Sequence, residues 1–187
     1  MTTISTPELQ TERLILRPLA LADADQVQLL FPKWEIVRQL ASIVPWPYPE
    51  DGVRNFYEQV ALPAVERGDE WYWTIRFKTQ PDQIIGAVSV SKGSNNRGFW
   101  MGLPWQGQGY MSEASEAATD FWFNTLGFEV MRIPKAADNV ASRRISEKQG
   151  MRVVETKLSE YVSGTLTTEV WEITAEEWRK RRQNMVS

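Results

Sequence analysis

Apolar and polar residues alternate in three consecutive segments in the middle of the chain. Every second position from 71 to 77 carries a large apolar side chain, which is the pattern of a strand with one buried face. Two more apolar runs follow at 84–90 and 98–102, behind turn sequences at 81–82 and 93–96. The pattern predicts three strands in an antiparallel meander.

Before the meander, one short strand is followed by apolar residues at helical spacing. The strand is predicted at 14–19, where a proline closes it. Apolar residues recur every three or four positions at 27–34 and again within 49–68, so we expect a helix in each segment. Pro63 lies inside the second stripe and should kink that helix or end it early. The proline-rich stretch 44–49 fits neither regular structure.

After the meander, helices and strands alternate. Terminal glycines predict helices at 110–127 and 138–150, with a strand at 128–135 between them. A hairpin is expected at 151–174, and the capping-box sequence 174–177 opens a last short helix. This order of elements predicts an α/β fold of the α+β type, built around one mixed sheet.

The composition is that of a globular protein of one domain. The chain has 187 residues, of which 42% are hydrophobic and 24% are charged, and this length is enough to bury a core. The sequence shows no internal repeat and no boundary between domains. We therefore expect a single domain spanning residues 1–187.

Charge and hydropathy limit the classes of partner. A net charge of −3 gives no electrostatic footprint for nucleic acid and mildly suits a cationic or amine substrate. No apolar run approaches the length that crosses a bilayer, and the N-terminal residues lack the pattern of a signal peptide. We expect a cytoplasmic protein with no nucleic-acid or membrane partner.

The absence of two residue types excludes several chemistries. The chain contains no cysteine and no histidine, so it has no disulfide, no thiolate nucleophile and no serine–histidine pair. The usual zinc ligands are also missing, and we expect no metal site. Catalysis must use carboxylates, hydroxyls, amines, backbone amides or a cofactor.

A glycine-rich loop lies between the last strand of the meander and the following helix. Gly107 and Gly109 allow a sharp turn and a close approach to a ligand, and the first amides of the helix have no partner within it. This arrangement favours a phosphate or pyrophosphate. A dinucleotide-binding fingerprint needs a third glycine or alanine where Ser112 stands and an acidic residue that closes a following strand, and neither is present. The Gly-Lys-Ser/Thr of a Walker loop is also absent.

Five segments together resemble one enzyme family. The loop at 105–114 resembles the coenzyme A pyrophosphate loop of the GNAT acetyltransferases, and more narrowly that of the RimJ/RimL branch. The segments 11–19, 98–101, 139–144 and 147–151 resemble further motifs of that branch, in the same order. The resemblance covers nearly the whole chain.

The resemblance implies a fold, a reaction and a co-substrate. The GNAT fold has a mixed, mainly antiparallel sheet with helices on both faces and a splayed central cleft. Pro134, which cannot donate a ladder hydrogen bond, is expected on or beside the unpaired edge of that cleft. The implied reaction is acetyl transfer from acetyl-coenzyme A to a primary amine by direct attack in a ternary complex, without a metal.

The resemblance also assigns residues to the co-substrate. Amides of 106–111 would hold the pyrophosphate, the strand end at 100–102 would pair with the pantetheine arm, and one amide there would stabilise the oxyanion. Two departures from the family pattern are Pro104, which stands in place of Arg or Gln, and Arg97, which stands in place of a glutamate. The implied set is Trp100, Met101, Gly102, Gln106, Gly107, Gln108, Gly109, Tyr110, Met111, Asn139 and Ser142.

Proton transfer and acceptor binding are assigned to four residues. Ser142 is a candidate proton donor to the leaving thiolate, or alternatively a hydroxyl that only caps its helix. Glu160 is the candidate base, or alternatively a solvated hairpin carboxylate. Trp46 and Tyr48 in the proline-rich loop are candidates for a substrate lid.

The acceptor and the oligomeric state stay open at this stage. The amine may belong to a protein N-terminus, a polyamine, an amino-acid-like metabolite or an aminoglycoside-type drug, and both a monomer and a homodimer fit the sequence. The alternative function is a catalytically weak module of the same fold that binds acyl-coenzyme A and acts in regulation or interaction.

Overall fold

The strands form two antiparallel sheets in the computed structural model, which describes residues 4–186. The strands are β1 (Leu9–Gln10), β2 (Leu14–Pro18), β3 (Glu70–Phe77), β4 (Gln80–Ser91), β5 (Arg97–Met101), β6 (Val130–Ala136), β7 (Arg152–Tyr161) and β8 (Gly164–Thr174). The first sheet has five strands in the order β1-β2-β3-β4-β5, and the second has three in the order β6-β8-β7. The predicted meander is confirmed as β3, β4 and β5.

The two sheets touch at one end and separate at the other. At the closed end, the Asn96 amide donates to the Arg132 carbonyl at 2.9 Å, and the Arg132 amide donates to Asn96 Oδ1 at 2.8 Å. Within residues 4–186, β5 and β6 form no strand pairing beyond this point. Pro134 lies on β6 opposite Val170 of β8, on the edge strand of the second sheet. The prediction for Pro134 is confirmed.

Helices cover both faces of the first sheet. One apolar cluster packs between this sheet, the second sheet and the helices of the C-terminal half, and another packs against the helices of the N-terminal half. Trp71 and Trp73, predicted as core, are 4% and 0% exposed. The helices are α1 (Ala24–Leu30), α2 (Trp34–Val37), α3 (Gly52–Phe56), α4 (Leu62–Arg67), α5 (Tyr110–Asp120), α6 (Val140–Lys148) and α7 (Ala175–Val186).

The helix predicted at 27–34 is divided into two. The first part, α1, ends at Leu30, and α2 begins at Trp34. Pro32 lies between them and cannot donate the backbone hydrogen bond that a continuous helix needs. The break matters because it turns α2 towards the open end of the cleft.

The second predicted helix continues through Pro63, so the expectation of an early end is wrong, whereas a distortion of the helix beside the proline is observed. A π-helical turn at Tyr57–Ala61 joins α3 to α4, and Pro63 lies in the first turn of α4. The wider turn places the proline where its missing amide costs little. Gly68 then stops the helix with φ of 71°, as the sequence indicates.

A buried arginine links the first sheet to two helices. Arg97 on β5 is 1% exposed, and its Nη1 donates to Thr119 Oγ1 of α5 and to Gln149 Oε1 beyond α6, both at 2.6 Å. Burial lowers the pKa of Arg97 to about 10. These bonds fix α5 and α6, whose N-termini carry the loop and the cap of the site, relative to β5.

Candidate active site

The separation of the two sheets opens a cleft of about 680 Å³. It lies between the end of β5, the N-terminus of α5, the N-terminus of α6 and the segment that contains α2. The residues of the predicted co-substrate set that line it are Trp100, Met101, Gln106, Gly107, Gly109, Tyr110, Met111, Asn139 and Ser142. Gly102 and Gln108 do not line it.

The glycine loop leaves backbone amides free at the cleft. Gly107 and Gly109 have φ of 72° and 85°, a left-handed conformation that suits glycine. Within the described part of the chain, the amides of residues 107–109 have no hydrogen-bond partner. The α5 helix starts directly after them, so its first amides also lack a partner within the helix. Helix N-termini of this kind bind phosphate groups.

The acidic residue at the start of α5 is neutralised. Glu113 accepts hydrogen bonds from Thr11 Oγ1 at 2.5 Å and from Arg13 Nε at 2.7 Å. The Arg13 guanidinium also lies 4.5 Å from the centre of the Tyr110 ring. Arg13 therefore cancels a charge beside the loop that would repel an anion.

The end of β5 presents one free amide to the cleft. The Gly102 amide donates to the Ile85 carbonyl of β4 at 2.8 Å, so it is not available to a ligand. Because backbone groups alternate in direction along a strand, the Met101 amide points away from β4 and into the cleft. Gln106 Nε2 donates to the Met101 carbonyl at 2.9 Å and ties the loop to this strand end.

The N-terminus of α6 faces the same space. Asn139 Oδ1 accepts from the Ser142 amide at 3.2 Å, which caps the helix as its sequence position predicts. Ser142 itself is 8% exposed and lines the cleft. The cap fixes the first turn of α6, and the positive end of that helix favours negative charge nearby.

A buried lysine holds this turn from behind. Lys135 on β6 is 5% exposed; its Nζ donates to the Ser142 carbonyl at 2.9 Å and also to Ser146 Oγ. Burial, with a contribution from the positive charge of Arg97, lowers the pKa of Lys135 to about 6. Lys135 therefore positions the turn that carries Ser142 as a largely neutral amine at pH 7.

We expect the substitution Lys135→Met to raise stability at pH 7 in a pH-dependent way. The pKa of this lysine is about 6 when folded and about 10.4 when unfolded. Between these values only the unfolded state binds the proton, so the free energy of unfolding of the wild type rises with pH, by up to about 1.4 kcal/mol per unit. The advantage of the variant should therefore be largest near pH 6 and shrink towards pH 10.

Urea unfolding of the two proteins between pH 6 and pH 10 measures this difference. The control is Lys78→Met, which removes an exposed lysine and should show no comparable trend. A difference between wild type and Lys135→Met that stays constant across this range would contradict the assignment of a depressed pKa.

The opposite wall of the cleft comes from α2 and the segment that follows it. Residues 38–42 are anchored to the hairpin of β7 and β8: the Val162 amide donates to the Leu40 carbonyl at 3.0 Å, and the Ser163 amide donates to the Arg38 carbonyl at 3.1 Å. Gln39 Nε2 donates to Asp138 Oδ1 at 3.0 Å and bridges the opening. This wall faces the end of the cleft that lies away from the glycine loop.

Two carboxylates line the cleft, Glu35 of α2 and Asp138 before α6. Asp138 accepts the hydrogen bond from Gln39, whereas the Glu35 side chain has no partner among residues 4–186. Arg38 stands one helical turn further along and also lines the cleft. Glu35 is therefore the carboxylate of this wall that is free to meet an acceptor.

The residues predicted for the acceptor side lie outside the lining of the cleft. Glu160 is exposed on β7, and its carboxylate accepts from Thr165 Oγ1 at 2.5 Å. Trp46 is 42% exposed, with its ring 5.4 Å from that of Trp34. Tyr48 packs with its ring 5.2 Å from Phe31. Their roles as base and lid stay predictions, whereas Glu35 lines the cleft.

Several residues of the site escaped the sequence analysis. Arg13 was part of a recognised motif, so its neighbourhood was a usable signal. Arg144 and Lys148 line the cleft and lie in the motif segments 139–144 and 147–151, so the same signal was available for them. Glu35 lines the cleft as well, but it is an ordinary charged position on a helix. No local pattern separates such positions from a solvated helix face.

Two negative findings apply to residues 4–186. They contain no cluster of three or more acidic side chains arranged to hold a metal ion. None of their helices combines the length and the apolar character that a membrane span requires.

Comparison with known proteins places this geometry in one family. The family model described as "Acetyltransferase (GNAT) domain" matches residues 13–152, which is well over half of the chain. The chain belongs to the GNAT acetyltransferase family. It is an acetyl-coenzyme A-dependent acyltransferase.

Solved structures agree with this assignment at the level of the fold. Ribosomal-protein-S5-alanine acetyltransferase from Vibrio fischeri superposes with a TM-score of 0.77 at 15% identity, over 92% of this chain and 98% of that chain. RimJ from Mycobacterium smegmatis, in complex with a coenzyme A disulfide, gives 0.76 at 15% identity, over 91% and 88%. Spermidine N-acetyltransferase from Vibrio cholerae, in complex with coenzyme A and spermine, gives 0.73 at 16% identity, over 89% and 98%.

These structures are all less than 25% identical to this chain, so they show the GNAT fold, and the RimJ/RimL branch stays a prediction. No protein of curated function matches the sequence at a significant level.

Proposed function

We propose that this protein transfers the acetyl group of acetyl-coenzyme A to a primary amine, by direct attack within a ternary complex. One observation carries the proposal: a helix N-terminus with unpaired amides, a free strand edge and a free carboxylate all open into one cleft. The helix N-terminus would bind phosphate, the strand edge would pair with an extended arm that carries amides, and the carboxylate would meet an amine.

The residues present fit coenzyme A. The amides of 107–109 and the start of α5 suit the pyrophosphate, and a Cβ on Gly107 would meet nothing within 4 Å, so the space there is open. Arg144 and Lys148 line the cleft near the same end and supply positive charge for further phosphate groups. The Met101 amide, which points into the cleft, would stabilise the oxyanion that forms from the thioester carbonyl.

The acceptor amine would enter from the wall formed by α2. An amine is protonated in water at pH 7 and must lose its proton before it attacks a carbonyl carbon. Glu35 is placed to attract the ammonium and to accept this proton, directly or through water. Much of the rate would come from holding the neutral amine against the thioester. The acceptors of the relatives, a ribosomal protein and spermidine, both carry primary amines.

Ser142 would donate a proton to the leaving thiolate. Its hydroxyl lines the cleft at the positive end of α6, where a developing negative charge is favoured. We expect Ser142→Ala to lower turnover by about a hundredfold, while the affinity for acetyl-coenzyme A stays within a few-fold. Steady-state kinetics and calorimetry measure the two quantities. A loss of affinity that matches the loss of turnover would assign Ser142 to binding alone.

Release of free thiol from acetyl-coenzyme A, measured with a panel of amines, tests the proposed function. The panel contains a peptide with a free N-terminus, a polyamine, an amino acid and an aminoglycoside, each paired with its N-acetylated form as a control. Thiol release with a free amine and not with its acetylated form is the expected result. Tight binding of acetyl-coenzyme A without turnover across the panel would favour a binding module of the same fold.

A further inference from the structure

The outer edge of β7 is unpaired over most of its length. On its inner side β7 pairs with β8, whereas the outer side is contacted only near its end, where the Ser42 amide donates to the Glu160 carbonyl at 3.2 Å. Among residues 4–186, no other segment pairs with this edge. An open strand edge is a template for pairing with another chain.

The side chains along this edge are exposed on both faces. Residues 152–158 are all exposed, and they include Val154 at 46% and Leu158 at 72%. The strand has no proline, and its ten residues make it long for an exposed edge. Exposed apolar side chains on an open edge indicate a surface that a partner covers.

The backbone groups that are free to pair follow from one observed bond. Because the Glu160 carbonyl points outward to Ser42, alternation along the strand also directs the amides and carbonyls of Leu158 and Thr156 outward. The register shift between Val153 and Glu155 interrupts this alternation. Val154 lies within this shift, so the regular free edge is the segment 155–158.

This segment is complementary to itself in one register. When two copies run antiparallel about a two-fold axis at Thr156, Glu155 of each copy faces Lys157 of the other. Within one chain, Lys157 Nζ already lies 3.3 Å from the Glu155 carboxylate, so the two pairs form one network of alternating charges across the axis. An axis one residue earlier would set two Glu155 carboxylates opposite each other. An axis one residue later would do the same with two Lys157 ammonium groups. Opposite charges across a strand pair stabilise it, and like charges destabilise it.

We propose that two copies of this chain associate through antiparallel pairing of the β7 edge around Thr156, within the segment 155–158. The two three-stranded sheets then become one sheet of six strands across the two-fold axis. Both copies offer the same surface, as a closed dimer requires. The segment 38–42 binds the same strand just beyond the interface, so the dimer also supports the acceptor wall of each cleft.

A charge swap provides the test. Glu155→Lys places like charges opposite each other twice in the dimer and should raise the dimer dissociation constant at least about tenfold. The double variant Glu155→Lys with Lys157→Glu restores both opposite-charge contacts and should return the constant to near the wild-type value. Sedimentation velocity over a concentration series measures all three proteins, and circular dichroism checks that each is folded.

A backbone variant tests the pairing independently of charge. Thr156→Pro removes an outward-facing amide, which an edge strand tolerates within one chain, and should give a folded monomer. A wild type that remains monomeric over the whole series would overturn the proposal. A dimer that is unaffected by Glu155→Lys, or a double variant no better than the single one, would also overturn it. Binding of an extended peptide to this edge of a monomer would show a different occupant.

Discussion

The substitution Gly107→Val is expected to reduce the affinity for acetyl-coenzyme A about a hundredfold or more. The valine side chain would project into the open space of the loop, where no described atom lies within 4 Å of a Cβ. That space is the one proposed for the pyrophosphate. The substitution also forces a β-branched residue into the left-handed region, which costs on the order of 1–3 kcal/mol.

Gly127 is a matched control for this backbone strain. Its φ is 76°, against 72° for Gly107, and a Cβ there also meets nothing within 4 Å. It lies outside the cleft. Gly107→Val and Gly127→Val should therefore lose similar stability, and only the first should lose affinity in calorimetry. Equal affinities in the two folded variants would remove the glycine loop from the binding site.

The substitution Glu35→Gln is expected to lower turnover by about a hundredfold to ten-thousandfold, the usual cost of losing a general base. The affinity for acetyl-coenzyme A should change little, because Glu35 lies on the wall opposite the glycine loop. Glutamine keeps the size of the side chain, so the shape of the wall is preserved. Single-turnover kinetics with a saturating amine measure the effect on the chemical step.

Glu160→Gln is the parallel experiment, because the family resemblance assigns the base to Glu160. The Glu160 carboxylate does not line the cleft and is bound to the Thr165 hydroxyl. We therefore expect the larger loss of turnover at Glu35. A larger loss at Glu160 would restore the assignment from the resemblance. Normal turnover in both variants would mean that bulk water accepts the proton and that positioning carries the catalysis.

Several elements of the fold could be predicted from local patterns in the sequence. The meander, the glycine stops at Gly68 and Gly127, and the capping box formed by Thr174 and Glu177 all appear as predicted. Each of these features is determined by a few neighbouring residues, because periodicity, caps and turn chemistry depend on the backbone of the element itself. The glycine loop and the cap of α6, which both lie at the candidate site, could be predicted from the sequence for the same reason.

Local patterns failed where an element depends on its neighbours. The path of the helix through Pro63 needed a π-helical turn that the apolar stripe does not reveal. Arg97 and Lys135 are ordinary charged positions in the sequence, yet both are buried and hold the helices of the site in place. Burial of a charge is decided by what packs over it, which is a property of the assembled fold.

By itself, then, the sequence determined the order of the elements, the glycine loop, the capped helix and the family to which the chain belongs. Only the tertiary structure decided the acceptor side of the cleft. There, Gln39 meets Asp138 across 99 positions of the chain, and Glu35 lines the cleft from a helix that begins after the break at Pro32. Periodicity reports which face of an element is apolar, but the separation of β5 from β6 and the segment that covers the gap arise from packing between distant elements.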